Sequence, residues 1–181
     1  MRFNRRGFGL LALSLFALPL LPSLALAHGP TRQKVIEEIT IQAAPADVWK
    51  LVGNFGNWGA WHPAIDSTTV TDGNAVGSVR TLKLKGGGEL VEEIEAYDAE
   101  TMSLKYRAKD HGALPVTNYT SMIQVKPADG GGSAVTWRGA FYRGFPNNDP
   151  PPELNDEAAV NAVTGVYTSG LANLKALLEK K

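Results

Sequence analysis

The chain has 181 residues, 18 Lys+Arg against 18 Asp+Glu, and 44% hydrophobic residues, a composition that suits a globular protein and gives no electrostatic reason to expect nucleic acid or an anionic membrane surface as partner. It contains no cysteine, which excludes disulfides, thiol catalysis and thiolate metal sites. No long low-complexity linker or repeat interrupts it, so one domain is expected.

The first residues read as an address. Arg2, Arg5 and Arg6 form a basic start, Gly9 to Leu24 is apolar but broken by Pro19 and Pro22, and Ala25-Leu26-Ala27 is an A-x-A cleavage site before His28. A cleaved signal peptide over residues 1–27 and a periplasmic protein over 28–181 are expected, with no stable membrane span after cleavage. Asn4-Arg5-Arg6-Gly7-Phe8 approximates a twin-arginine signal, without the usual Ser/Thr before the pair and with Gly9 where an apolar residue belongs, so either the general or the twin-arginine export route fits. Cleavage would remove three Arg and no acid, leaving 15 Lys+Arg against 18 Asp+Glu in 154 residues, a net charge of −3. That length buries enough core to fold without covalent staples.

Next, Lys34 to Gln42 alternates as a strand does, and Pro45 stands where a helix begins, since proline suits the first turn and its missing N–H costs nothing there. Val48, Trp49, Leu51 and Val52 make a short apolar stripe that Gly53 and Gly56 stop. Trp58, Trp61 and His62-Pro63 crowd into the following residues before a new strand opens near Ile65. Strands are predicted over 67–71, 78–85, 89–97, 101–108, 116–126 and 134–142, with Gly86-Gly87-Gly88 and Asp129 to Gly132 as hairpin tips. After the proline-rich loop 144–152, residues 153–178 form one amphipathic helix, Val160, Val163, Tyr167, Leu171, Leu174 and Leu178 repeating at helical spacing. Gly165 and Gly170 weaken that helix, which close approach to a sheet or room for a ligand would explain. Hairpins feeding an antiparallel sheet capped by a long helix make an α+β arrangement, and a curved sheet leaves a wedge of space beside a straight helix.

The run Ala44 to Ile65 (APADVWKLVGNFGNWGAWHPAI), following a strand, resembles the START-like or SRPBCC superfamily, the polyketide cyclase/dehydrase family in its bacterial branch. With His28 to Val35 (HGPTRQKV) it looks most like the MxaD-type periplasmic proteins associated with methanol oxidation. The resemblance covers about residues 29–178. It implies a helix-grip fold, a curved antiparallel sheet around a long C-terminal helix with a cavity between. It also implies a cofactor-free accessory to a periplasmic dehydrogenase or cytochrome.

Within such a fold, Arg80 shares a face with Leu82 and Leu84, and Glu92 with Leu90 and Ile94, so the two polar side chains are expected to meet inside or to sit at a wet strand end. Trp58, Trp61, Tyr106, Tyr119, Trp137, Phe141 and Tyr167 are expected around the same space as ligand contacts or as plain core, Trp61, His62 and Tyr119 near its mouth. A small apolar or aromatic ligand is the expected partner. An enzymatic alternative, cyclase or dehydratase, would use His62 or Glu92 as base and Arg80 or Tyr119 to steady an enolate-like oxygen. Hydrophobe or lipid carriage is a third reading. A metal site would fall on His28, whose amine and imidazole would flank one copper ion at a mature N-terminus, although no second ligand is identifiable. HExxH, nucleophile-elbow and phosphate-loop patterns are absent.

Overall fold

The computed structural model describes residues 29–180; the expected signal peptide 1–27 and His28 lie outside the described residues. Seven antiparallel strands form one sheet in the order β1-β7-β6-β5-β4-β3-β2. They are β1 (Gln33–Ile41), β2 (Ile65–Val70), β3 (Val79–Leu84), β4 (Glu89–Asp98), β5 (Ser103–Asp110), β6 (Val116–Pro127) and β7 (Ser133–Arg143). β2 to β7 follow one another as hairpins, while β1 pairs with β7 from Gln33 opposite Phe141 to Ile41 opposite Ser133.

Register shifts at Ile65/Ser67, Val91/Glu92, Ile94/Ala96 and Thr117/Thr120 bend the strands, as an extra unpaired residue does. The shift in β6 carries Asn118 at φ 48°. It reverses the alternation, so that Val116 and Tyr119 are both buried although an unbroken strand would set them on opposite faces.

α1 (Pro45–Val52) and a 3₁₀ turn (Trp58–Ala60) lie between β1 and β2, the two opposite edges of the sheet, and bury Val48, Val52 and Trp58. The Trp58 indole N–H donates to the Val52 carbonyl at 3.0 Å, locking the turn onto the end of α1. α2 (Asp156–Leu178) packs on β1 and β7. It starts three residues later than its apolar pattern suggests, because Pro152–Leu154 forms a separate 3₁₀ turn and Asn155 caps the helix, its Oδ1 accepting from Ala158 N–H at 2.8 Å. Arg143 ties the proline-rich loop down, donating to the carbonyls of Phe145 and Asn147 at 2.9 Å each and to Asp156 at 3.2 Å. At the other end, Lys175 donates to the Thr40 carbonyl and Glu179 accepts from Gln42 N–H, both at 2.7 Å.

The buried face of α2 is Ala159, Val163, Tyr167, Gly170, Leu171 and Leu174. The two interior helix glycines differ in kind. Gly165 faces open space, whereas a β-carbon on Gly170 would stand 2.6 Å from His62 Cδ2 and 3.0 Å from Trp137 Cζ3. Close approach therefore accounts for Gly170 alone. This is the α+β class that the pattern of elements predicts, in the helix-grip form that the family resemblance implies.

Candidate functional site

Between the concave face of the sheet, the Trp58 turn and α2 lies a cavity of about 70 Å³. Its buried floor is Trp58, Glu92, Tyr106, Tyr119 and Trp137, with His62, Ile65, Leu82 and Leu90 as walls. The lining side chains that still reach solvent are Ala64, Leu84, Leu114 and Val166, and these form the rim. Four segments meet there: the turn before β2, the β3–β4 hairpin, the loop after β5, and α2. Gly112, at φ 47°, lets that loop lie on the hairpin, since a β-carbon would coincide with the Glu89 carbonyl. The space holds a few waters or a small molecule's end, well short of the ~300–1,000 Å³ of a drug-sized ligand pocket. A broader hollow of about 360 Å³ lies on the opposite face of the sheet, among Lys34, Ile36, Lys105, Met122 and Arg138.

The hairpin register sets Arg80 opposite Glu92, and both side chains point inward, 0% and 4% exposed. Neither lies at a wet strand end. Arg80 Nε donates to Glu92 Oε2 at 2.7 Å, and Nη2 lies 2.6 Å from the same oxygen, at an angle that makes it an ionic contact and not a hydrogen bond. Nη1 donates to the Phe55 carbonyl at 3.2 Å. The guanidinium is sandwiched by rings, its carbon 3.7 Å from the Trp58 centroid and 4.1 Å from that of Phe55. Such stacking offsets part of the cost of burying the charge. Arg80 itself does not reach the cavity; Glu92 does.

Beside this pair runs a chain of buried hydroxyls. Tyr119 and Tyr167 are joined at 2.8 Å, Tyr167 and Ser121 at 2.8 Å, and Ser121 donates to the Arg138 carbonyl at 3.1 Å. The Trp137 indole N–H is shared between Tyr106 Oη and Ser121 Oγ, 3.0 Å each. Tyr167 stacks on Trp137 with centroids 4.3 Å apart, and Gly139 makes room for it, since a β-carbon there would stand 2.3 Å from Tyr167 Oη. Burial, first of all, pushes Tyr106, Tyr119 and Tyr167 well above the ordinary tyrosine value, so all three stay neutral.

His62 has both ring nitrogens engaged with the backbone. Nε2 lies 3.0 Å from the Val166 carbonyl, which can only accept, so the proton is on Nε2; Nδ1 accepts from Ala64 N–H at 3.3 Å. Burial lowers its pKa to about 4, against the opposing Val166 bond and with help from Arg80's charge. The ring is a neutral brace between the Trp-rich turn and α2.

Of the residues singled out from sequence, Trp58, His62, Glu92, Tyr106, Tyr119 and Trp137 line the cavity. Trp61, Arg80, Phe141 and Tyr167 stand behind it, buried against the lining residues. Trp61, His62 and Tyr119 are 1%, 3% and 4% exposed and sit inside, not at a mouth. The sequence reading missed Leu114 and Val166 on the rim, Phe55 beneath Arg80, and Ser121 at the junction of the hydroxyl chain. Ser121 was findable in principle, as a small polar residue in phase with Ile123 and Val125. Among the described residues no helix is long and apolar enough to cross a membrane.

Comparison with known proteins agrees with this architecture. Residues 32–179 match the family model described as polyketide cyclase / dehydrase and lipid transport. The structure of XoxI from Bacillus cereus is similar at 32% identity and TM-score 0.69, covering 80% of this chain and 94% of that one. An uncharacterised protein from Bacillus thuringiensis is similar at 30% identity and TM-score 0.70, covering 82% and 100%. A norcoclaurine synthase from Thalictrum flavum shares the fold at 18% identity and TM-score 0.60, covering 82% and 95%. The MLP-like protein 423 of Arabidopsis thaliana is 36% identical over 95 residues, which is 50% of this chain, and the chain spans only 61% of that relative's length. Matched over nearly all its described residues, the chain belongs to the polyketide cyclase/dehydrase and lipid transport family of the SRPBCC, or START-like, superfamily.

Proposed function

We propose that this chain is an exported, cofactor-free START-like module that binds a small apolar or aromatic ligand and serves as accessory to a periplasmic redox enzyme such as a methanol dehydrogenase. The observation that carries the binding role is the cavity, apolar at its rim and polar at its floor, closed by α2. Supporting export are the basic, apolar and A-x-A segments before His28. The accessory role draws on the likeness of residues 28–35 and 44–65 to MxaD-type proteins, and the expected net charge of −3 is compatible with a cationic protein partner. Binding is favoured over turnover because His62 has no free nitrogen, and Glu92, the other candidate base, lacks Arg80 as an oxyanion donor beside it in the cavity. Lipid carriage would need the rim at Leu84, Leu114 and Val166 to open well beyond 70 Å³.

Native mass spectrometry of the protein purified from the periplasm of its own cell tests the reading. A retained small molecule supports the binding role, and co-purification with a dehydrogenase or cytochrome supports the accessory role. An empty protein without companions counts against both.

A further inference from the structure

The cavity floor holds two unmatched hydrogen-bonding functions. Among the described residues, Glu92 Oε2 is occupied by Arg80, while Glu92 Oε1 has no protein partner. Tyr106 Oη accepts from the Trp137 indole N–H, which can only donate. With Ser121 giving its proton to the Arg138 carbonyl, its oxygen already takes protons from Trp137 and Tyr167, and the Tyr106 proton has no acceptor left in the hydroxyl chain. The remaining protons are all placed: Tyr119 gives to Tyr167, Tyr167 to Ser121, and Ser121 to the Arg138 carbonyl. One acceptor and one donor, on two buried residues, thus face the same small space, lined otherwise by apolar side chains and by His62 and Tyr119, whose polar atoms are already engaged.

From this count we infer that the cavity takes the hydroxyl head of a neutral, apolar alcohol or phenol, which donates to Glu92 Oε1 and accepts from Tyr106 Oη, its hydrocarbon tail leading out past Leu84, Leu114 and Val166. The inference rests on the binding role proposed above and specifies its ligand class. Other heads fit worse. An ammonium has no lone pair for Tyr106, and Glu92 already has its counter-charge in Arg80. A carboxylate would face the Glu92 charge across the cavity. A pure hydrocarbon would leave both groups unpaired, each at the cost of a buried polar group without a partner.

Three probes of similar size separate these cases: 1-pentanol, its isomer butyl methyl ether, and pentylammonium. Their binding is followed by NMR titration of the Trp58 and Trp137 indole resonances. The ether accepts from Tyr106 but cannot donate to Glu92, so 1-pentanol should bind roughly tenfold more tightly, the worth of a hydrogen bond to a charged group. Tyr106→Phe should weaken 1-pentanol by about fivefold. It should leave the fold intact, because Ser121 still accepts the indole proton. Glu92→Gln should bring the alcohol and ether close to parity, since an amide both donates and accepts; should that variant not fold, the wild-type series with Tyr106→Phe decides alone. Equal binding of alcohol and ether, or tightest binding of pentylammonium, would overturn the hydroxyl assignment while leaving the binding role standing. No response to any probe would overturn both.

Discussion

Substituting Arg80 by methionine keeps much of its length and apolar contact with Phe55 and Trp58 but removes the charge that faces Glu92. Glu92 is 4% exposed and has Oε2 bound only by that guanidinium. Breaking a buried pair from one side costs about 3–5 kcal/mol, because the remaining ion stays desolvated. The cavity moderates this, since about 70 Å³ beside Glu92 Oε1 admits water, which sets the expected loss near the lower bound, about 3 kcal/mol. For a domain of ordinary stability, about 5–15 kcal/mol, that is a large fraction. Replacing both residues, Arg80→Met with Glu92→Leu, removes the stranded charge and should restore stability to within about 1 kcal/mol of wild type. Urea unfolding at pH 7, followed by fluorescence of the Trp58–Trp61–Trp137 cluster, gives all four corners of the double-mutant cycle. The reasoning fails if Arg80→Met costs under about 1 kcal/mol, or if the double variant is no more stable than Arg80→Met alone.

The helix glycines should answer in opposite directions: Gly165→Ala, in open space, should raise stability by about 0.5–1 kcal/mol. Gly170→Ala, driven against His62 and Trp137, should lower it by about 1–3 kcal/mol, both read from urea midpoints. Gly139→Ala should displace the Tyr167 hydroxyl from Tyr119 and Ser121 and lower the thermal midpoint by at least as much as Gly170→Ala. His62 has a folded pKa of about 4 against an ordinary 6.5, so the unfolded chain binds the extra proton between those values. Its contribution is complete above pH 6.5 and is lost as pH falls toward 4, by about 3 kcal/mol. Urea titrations across that window should show the slope, and His62→Gln should flatten it.

The hairpin pairing of Arg80 with Glu92 was legible because period-two alternation on either side of Gly86-Gly87-Gly88 fixes both face and register. The strand positions and the α2 stripe were legible for the same reason: repeated apolar spacing reports a buried face directly. Tyr119 follows the same rule, in phase with Ser121, Ile123 and Val125; Val116 was harder, because the bulge at Asn118 brings it to their face and no alternation rule announces a bulge. Val166 lies beside the α2 stripe, not on it, and enters the site because His62 reaches its carbonyl from a segment 104 residues earlier. Leu114 comes from a loop whose position depends on Gly112 passing under the Glu89 carbonyl. These are tertiary encounters, and local pattern carries no trace of them.

The placement of β1 has a bearing on how the chain reaches this shape. Its partner in the sheet is β7, with Gln33 opposite Phe141, and its free end is tied to the last turn of α2 through Thr40 and Gln42. β2 through β7 can zip as successive hairpins, but β1 has nowhere to dock until β7 exists. Closure therefore waits on contacts between the two ends of the domain, which places it among the slower, high-contact-order folders, in the millisecond-to-second range. Until then the inner edge of β7 and the apolar stripe of α2 stand uncovered, open to pairing with another copy. A nascent chain released before Ser133 would carry its first strand with no place to put it.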